Sequence, residues 1–173
     1  VFGTNLVVGP QIKAQIRLLR QRVPADFLQR DMDDLGCGDG KITVLLKEVF
    51  QPRKLRGFDI HPALIRRARQ KGIEAEIANL DEEMPRGELA VMWGVLHHLK
   101  NKEHCLRRIS ENYTLAFIRE PVKNRAIKGL EMGQPLIKEE IEDLIKKYLP
   151  SAQYFYYGHC IFVFYRGSGK STA

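Results

Sequence analysis

Asp34-Leu35-Gly36-Cys37-Gly38-Asp39-Gly40 decides the reading of this chain. Three glycines alternate directly after the run Phe27 to Leu35, which reads as a strand, and directly before Lys41 to Phe50, which reads as a helix. An open α/β sheet binds ligands beyond the carboxyl ends of its strands, and a first turn without side chains lets the backbone approach a ligand closely. The dinucleotide fingerprint G-x-G-x-x-G needs glycine at position 41, where Lys41 stands. The spacing is G-x-G-x-G, which fits a nicotinamide site poorly.

Outward from that turn, strand and helix patterns alternate. Upstream, Ile12, Ile16, Leu19 and Val23 lie on one face of an amphipathic helix with Lys13, Arg17, Arg20 and Arg22 between them, and Pro24 breaks it. Downstream come a strand from Leu55 to Ile60, a helix opened by Pro62 and stopped at Gly72, and strands at Ile73 to Leu80 and Leu89 to Trp93. A helix at Asn101 to Asn112, a strand at Thr114 to Ile118 and a last helix at Pro135 to Leu149 follow. Tyr154 to Tyr157 and Cys160 to Tyr165 flank Gly158-His159 and read as an antiparallel hairpin. The pattern predicts a mostly parallel sheet with helices on both faces and antiparallel strands at one edge.

At 173 residues the chain has about the length of one domain, expected over residues 1–166 with a flexible tail at 167–173. Hydrophobic residues make up 44% and charged residues 28%, which excludes a disordered or collagenous chain. No apolar run reaches the roughly 18 residues of a membrane span, and Val1 to Pro10 lacks a secretory pattern. Cys37, Cys105 and Cys160 are odd in number and far apart, which argues against a disulfide framework and a cysteine-based zinc cluster; a cytoplasmic protein without a metal site is expected. The tail Gly167-Ser168-Gly169-Lys170-Ser171-Thr172 imitates a phosphate-binding loop, but the required first glycine is Phe164.

The stretch Asp34 to Gly40 resembles the first motif of the class I S-adenosylmethionine-dependent methyltransferases, and Asp59 at the end of the second strand resembles the second motif. Ala78-Asn79-Leu80-Asp81 is similar to the third. Val91-Met92-Trp93-Gly94-Val95-Leu96-His97-His98-Leu99 resembles the segment after the fourth strand in members that act on small molecules. The resemblance spans roughly residues 30 to 165. It implies a Rossmann-like, doubly wound seven-stranded sheet of order 3-2-1-4-5-7-6, with S-adenosylmethionine as donor and S-adenosylhomocysteine as product. It also implies a donor site drawn from Asp34, Gly36, Cys37, Gly38, Asp59, Ile60, Asn79, Leu80, Asp81 and Trp93. Asp59 would accept hydrogen bonds from both ribose hydroxyls, Asp81 would receive the adenine amino group, and Leu80 would cover the ring. Asp33 departs from the family pattern, since a charge in a central strand is costly unless a cation faces it.

The implied strand order can be checked by reach. Eight residues from Asp81 to Glu88 extend to at most about 27 Å, while crossing three strand spacings and returning along a strand needs roughly 22 Å. The crossing is feasible only with almost no helix in it.

Methyl transfer asks a protein chiefly to position donor and acceptor, and a general base helps only acceptors that must lose a proton. His97, His98 and Glu120 stand beyond the fourth and fifth strands and are the catalytic candidates; a packing or capping role for the histidines is the plainer alternative. His61 before Pro62 reads as a helix cap, Cys37 as a packed side chain, and Trp93 equally as a donor cover or as core. No Asp/Asn-Pro-Pro-Tyr/Phe motif follows the fourth strand, which disfavours amino methylation of nucleic-acid bases, and the cysteine placement disfavours cytosine C5 chemistry. Lys and Arg outnumber Asp and Glu by 28 to 21, and seven of the cations lie between Arg53 and Lys71. RNA contact through that surface therefore stays open beside a small-molecule acceptor, as do protein methylation, a partner subunit or homo-oligomer, and a donor-binding module without turnover.

Overall fold

The computed structural model describes residues 9–123 and 136–167. Helix α1 (Pro10–Arg22) opens the described chain with proline in its first turn, and β1 (Met32–Leu35), α2 (Lys41–Phe50), β2 (Leu55–Asp59), α3 (Pro62–Gln70) and β3 (Glu74–Ile77) follow. Next come β4 (Gly87–Trp93), α4 (Lys102–Asn112), β5 (Tyr113–Lys123), β6 (Leu136–Ile137), α5 (Lys138–Tyr148), β7 (Gln153–Tyr157) and β8 (Cys160–Arg166). The strands lie in the order β3-β2-β1-β4-β5-β8-β7 with β6 beside β5, so the expected order stands once the two-residue β6 is set aside. All pairs are parallel except β5 with β8 and β8 with β7. The crossing from β3 to β4 contains no helix.

Three local expectations need correction. The strand expected from Phe27 begins only at Met32, because Ala25–Phe27 closes a 3-10 turn and Gln29 takes a positive φ of 55°. The strand expected to stop at Ile118 runs on to Lys123, since β8 supplies antiparallel partners as far as Pro121↔Cys160. The last helix starts at Lys138, because Leu136 and Ile137 are drawn into β6 by Val122 and Lys123. Residues 1–8, residues 124–135 and the tail from 168 on lie outside the described residues.

Side-chain alternation along β4 sets the layers. Leu89 and Val91 face α1 and α2, joining Ile16, Leu19, Leu46, Phe50 and Phe117, whereas Ala90 and Met92 face α4 and α5, joining Leu106, Ile109, Ile141 and Ile145. Burying a side chain such as Phe50 in full contributes about 1.5–3 kcal/mol, so both faces gain from the same strand. Asp33 has its cation: Arg56 donates to it twice, at 2.8 and 2.7 Å, and the Tyr113 hydroxyl donates at 2.9 Å. None of the described helices is long and apolar enough to cross a membrane.

Candidate functional site

The carboxyl ends of β1, β2 and β4 meet at the glycine turn. Gly36 and Gly38 have positive φ, 85° and 56°, which side chains rarely adopt. A Cβ on Gly36 would come within 2.4 Å of Val95, whereas one on Gly38 would meet nothing within 4 Å. Gly36 therefore lets the segment after β4 close against the turn, and Gly38 leaves the open side. Asp59 reaches that side: its Oδ2 accepts from the Gly38 N–H at 2.9 Å and its Oδ1 from the His61 N–H at 2.9 Å. Each oxygen keeps a second lone pair for a diol, and Ile60, 51% exposed beside it, offers an apolar surface for a ring. These residues suit a nucleoside with a bare backbone face next to its sugar.

Beneath the turn, Asp34 is buried and accepts one hydrogen bond from the Thr43 hydroxyl, at 2.5 Å. Burial pushes its carboxyl up to about 7; the Thr43 bond opposes this and the charge of Asp59 adds to it. Cys37 points inward, its Sγ lying 2.8 Å from where a Gly57 side chain would begin, and burial pushes its thiol well up, so it packs as an inert thiol.

Farther along, Leu80 sits in the core beside Met84. Asn79 Oδ1 accepts from the Asp81 N–H at 3.2 Å. Asp81 Oδ1 accepts from the N–H groups of Lys100 and Asn101, both at 3.0 Å, which ties the end of the third strand segment to the segment after β4. Its Oδ2 has only a 3.3 Å bond from Lys100. Trp93 lies on the α1/α2 face against Phe117 and Phe162.

Beyond β4 the structure brings His97, His98 and Glu120 together. Glu120 is buried at 1% exposure, its Oε1 accepting from the N–H groups of Val95 and Leu96 at 2.7 Å each and its Oε2 lying 2.8 Å from His97 Nδ1. A carboxylate so placed assigns the proton to Nδ1 and leaves Nε2 as the basic nitrogen. Glu120 is thus engaged on both oxygens and acts as the holder of His97. The His98 ring lies 3.9 Å from that of His97, and burial together with that neighbour holds it below the usual histidine range.

Sequence reasoning missed Thr43, Val95 and Arg119. Thr43 and Val95 carry no signal in their immediate neighbours, but Arg119 stood visibly as a charge at the end of an apolar strand. Among the described residues no group of three His, Cys, Asp or Glu is arranged to hold a metal ion.

Residues 34–114 match the family model described as a methyltransferase domain. The chain is 31% identical over 74 residues to trans-aconitate 2-methyltransferase of Mycobacterium sp. (strain KMS), covering 43% of this chain and 29% of that protein. It is 23% identical over 135 residues to a protein-lysine N-methyltransferase of Saccharolobus islandicus (strain REY15A), covering 77% of each. Human N-acetylserotonin methyltransferase in complex with SAM has the same fold, with a TM-score of 0.70 and 18% identity over 90% of this chain and 52% of that one. The match thus spans less than a third of the length of the trans-aconitate enzyme.

Fold and glycine turn together define a Rossmann-like methyltransferase domain. The architecture is that of S-adenosylmethionine-dependent methyltransferases, and residues 34–114 carry the methyltransferase-domain match.

Proposed function

We propose that this chain transfers a methyl group from S-adenosylmethionine to a hydroxyl of a small-molecule acceptor. The observation that carries the reading is Asp59, whose carboxylate lies at the tip of β2 against the open face of Gly38. When bound, the donor supplies a methyl group already activated on a sulfonium, so the protein's share is placement and proton handling. Asp59 holds the sugar, Ile60 covers the base, and Asp34 answers the ammonium of the methionine moiety. His97, oriented by Glu120, takes the acceptor proton at Nε2.

The basic run between Arg53 and Lys71 lends less support to a nucleic-acid acceptor than its charge suggests. Arg53, Lys54, Arg56 and Lys71 lie within 4.0 Å of carboxylates, and Arg69 donates to the Ala75 carbonyl.

Calorimetric titration of the full chain with S-adenosylmethionine, S-adenosylhomocysteine and NAD tests the donor. The first two should bind and NAD should not. Asp59→Ala should weaken the donor by about 1.5–3 kcal/mol, roughly 10- to 150-fold. Unchanged affinity in that variant removes Asp59 from the site, and preferential NAD binding overturns the function.

A further inference from the structure

Across Gly94 from His97 stands a guanidinium that pairs with no carboxylate among the described residues. Arg119 is in register with Trp93, and its carbonyl accepts from the Gly94 N–H at 2.7 Å, so it lies level with the carboxyl end of the central strand. Its Nε donates to Gln15 Oε1 at 3.1 Å, its Nη2 to Cys160 Sγ at 2.7 Å, and its Cζ lies 5.1 Å from the centroid of the Trp93 ring. These contacts fix the group and neutralise nothing on Gln15 or Trp93.

Five described arginines are half-buried, and four of them pair with a carboxylate: Arg30 with Glu88, Arg56 with Asp33, Arg108 with Glu111 and Arg166 with Asp26. Arg119 pairs with no Asp or Glu among the described residues. Withdrawing a cation from water without a counter-ion is unfavourable, and an arriving anion removes that cost.

Gly94 shows where the anion would lie. Its φ is +69°, and a Cβ built there would stand 3.4 Å from Arg119 Nη1 and 3.8 Å from His97 Cε1. Apart from the chain neighbours of Gly94, no other heavy atom lies within 4 Å of that position, so a cation and a histidine flank the same point at the carboxyl end of β4.

We propose that the acceptor is a small hydroxy acid, its carboxylate taken by Arg119 and its hydroxyl presented to His97 across Gly94. The planar fork of a guanidinium matches a carboxylate through two parallel hydrogen bonds, which a neutral amide cannot answer with two acceptors. This rests on the methyl-transfer reading above and narrows it to an acceptor class. A merely bracing Arg119, holding α1 through Gln15, would be indifferent to the charge of the acceptor.

The test loads the full chain with S-adenosylhomocysteine and titrates it with lactate, malate, salicylate, 3-hydroxybenzoate and 4-hydroxybenzoate, each beside its amide. At least one acid should bind tenfold or more tightly than its amide and accept label from methyl-labelled S-adenosylmethionine. Arg119→Gln should bring acid and amide within twofold of each other, while Arg119→Lys should restore part of the preference. The S-adenosylhomocysteine titration of each variant reports that it is folded. A panel in which no acid outbinds its amide overturns the proposal, as does a preference that survives in Arg119→Gln. Failure of S-adenosylhomocysteine to load the wild-type chain would instead overturn the methyltransferase reading beneath it.

Discussion

Asp33 and Asp34 are neighbours on β1, both at least 97% buried, and their surroundings differ completely. Asp33 faces the α4 side, where Arg56 grips both its oxygens and Tyr113 adds a third donor. Asp34 faces the α2 side, one residue from the glycine turn, with the Thr43 hydroxyl as its side-chain donor. The first carboxylate is complete within the chain. The second is left short of partners where a ligand carrying an ammonium group would supply one, and its carboxyl is pushed up to about 7 in consequence. A buried acid with a full set of partners holds the architecture together, and one kept wanting is available to a ligand.

Breaking the complete partnership should have the largest effect. Asp33→Ala leaves a guanidinium half-buried beside an unpaired phenol and should destabilise the fold by about 3–5 kcal/mol in urea titrations. The protein that remains folded should bind S-adenosylhomocysteine as before. A loss under about 1 kcal/mol would show that Arg56 finds water as readily as it found Asp33.

Asp34→Asn should act in the opposite sense. Because the folded-state value lies above the unfolded one of about 3.9, the folded chain binds this proton more tightly, and the associated stability is full below about pH 4 and lost as pH rises through 7. The variant escapes that loss. It should match the wild type near pH 4 and exceed it at pH 8 by on the order of 2–4 kcal/mol in urea titrations, while binding the donor at least tenfold more weakly. Equal stability at both pH values would mean that Asp34 is as well satisfied as Asp33.

Thr43→Val sharpens the contrast at the smallest scale. Losing the one hydroxyl should cost about 1 kcal/mol and drive the Asp34 carboxyl higher still, since that bond is what opposes burial. Calorimetry of donor binding in buffers of different ionisation heat would read this as increased proton release near neutral pH.

Much of this was legible beforehand because it depends on neighbours in the chain. The glycine turn, the helix from Lys41 and the acid closing β2 follow from local spacing, and the need for a cation opposite Asp33 follows from a charge placed in an apolar strand. The engagement of Glu120 with the N–H groups of Val95 and Leu96 was not legible, because it joins residues 24 to 25 positions apart. The bonds from the Lys100 and Asn101 N–H groups to Asp81, 19 and 20 positions apart, were equally out of reach of local pattern. The extension of β5 and the existence of β6 depend on partner strands, which no local pattern reports.

From the residues in order came the alternating α/β pattern and the motif order, since periodicity and turn chemistry act over a few positions. Tertiary structure alone decided which carboxylates are satisfied, which nitrogen of His97 stays basic and that Arg119 and His97 flank Gly94. Hydrogen bonds and counter-ions depend on distances of about 3 Å between groups far apart in the chain, and only folding brings those groups together.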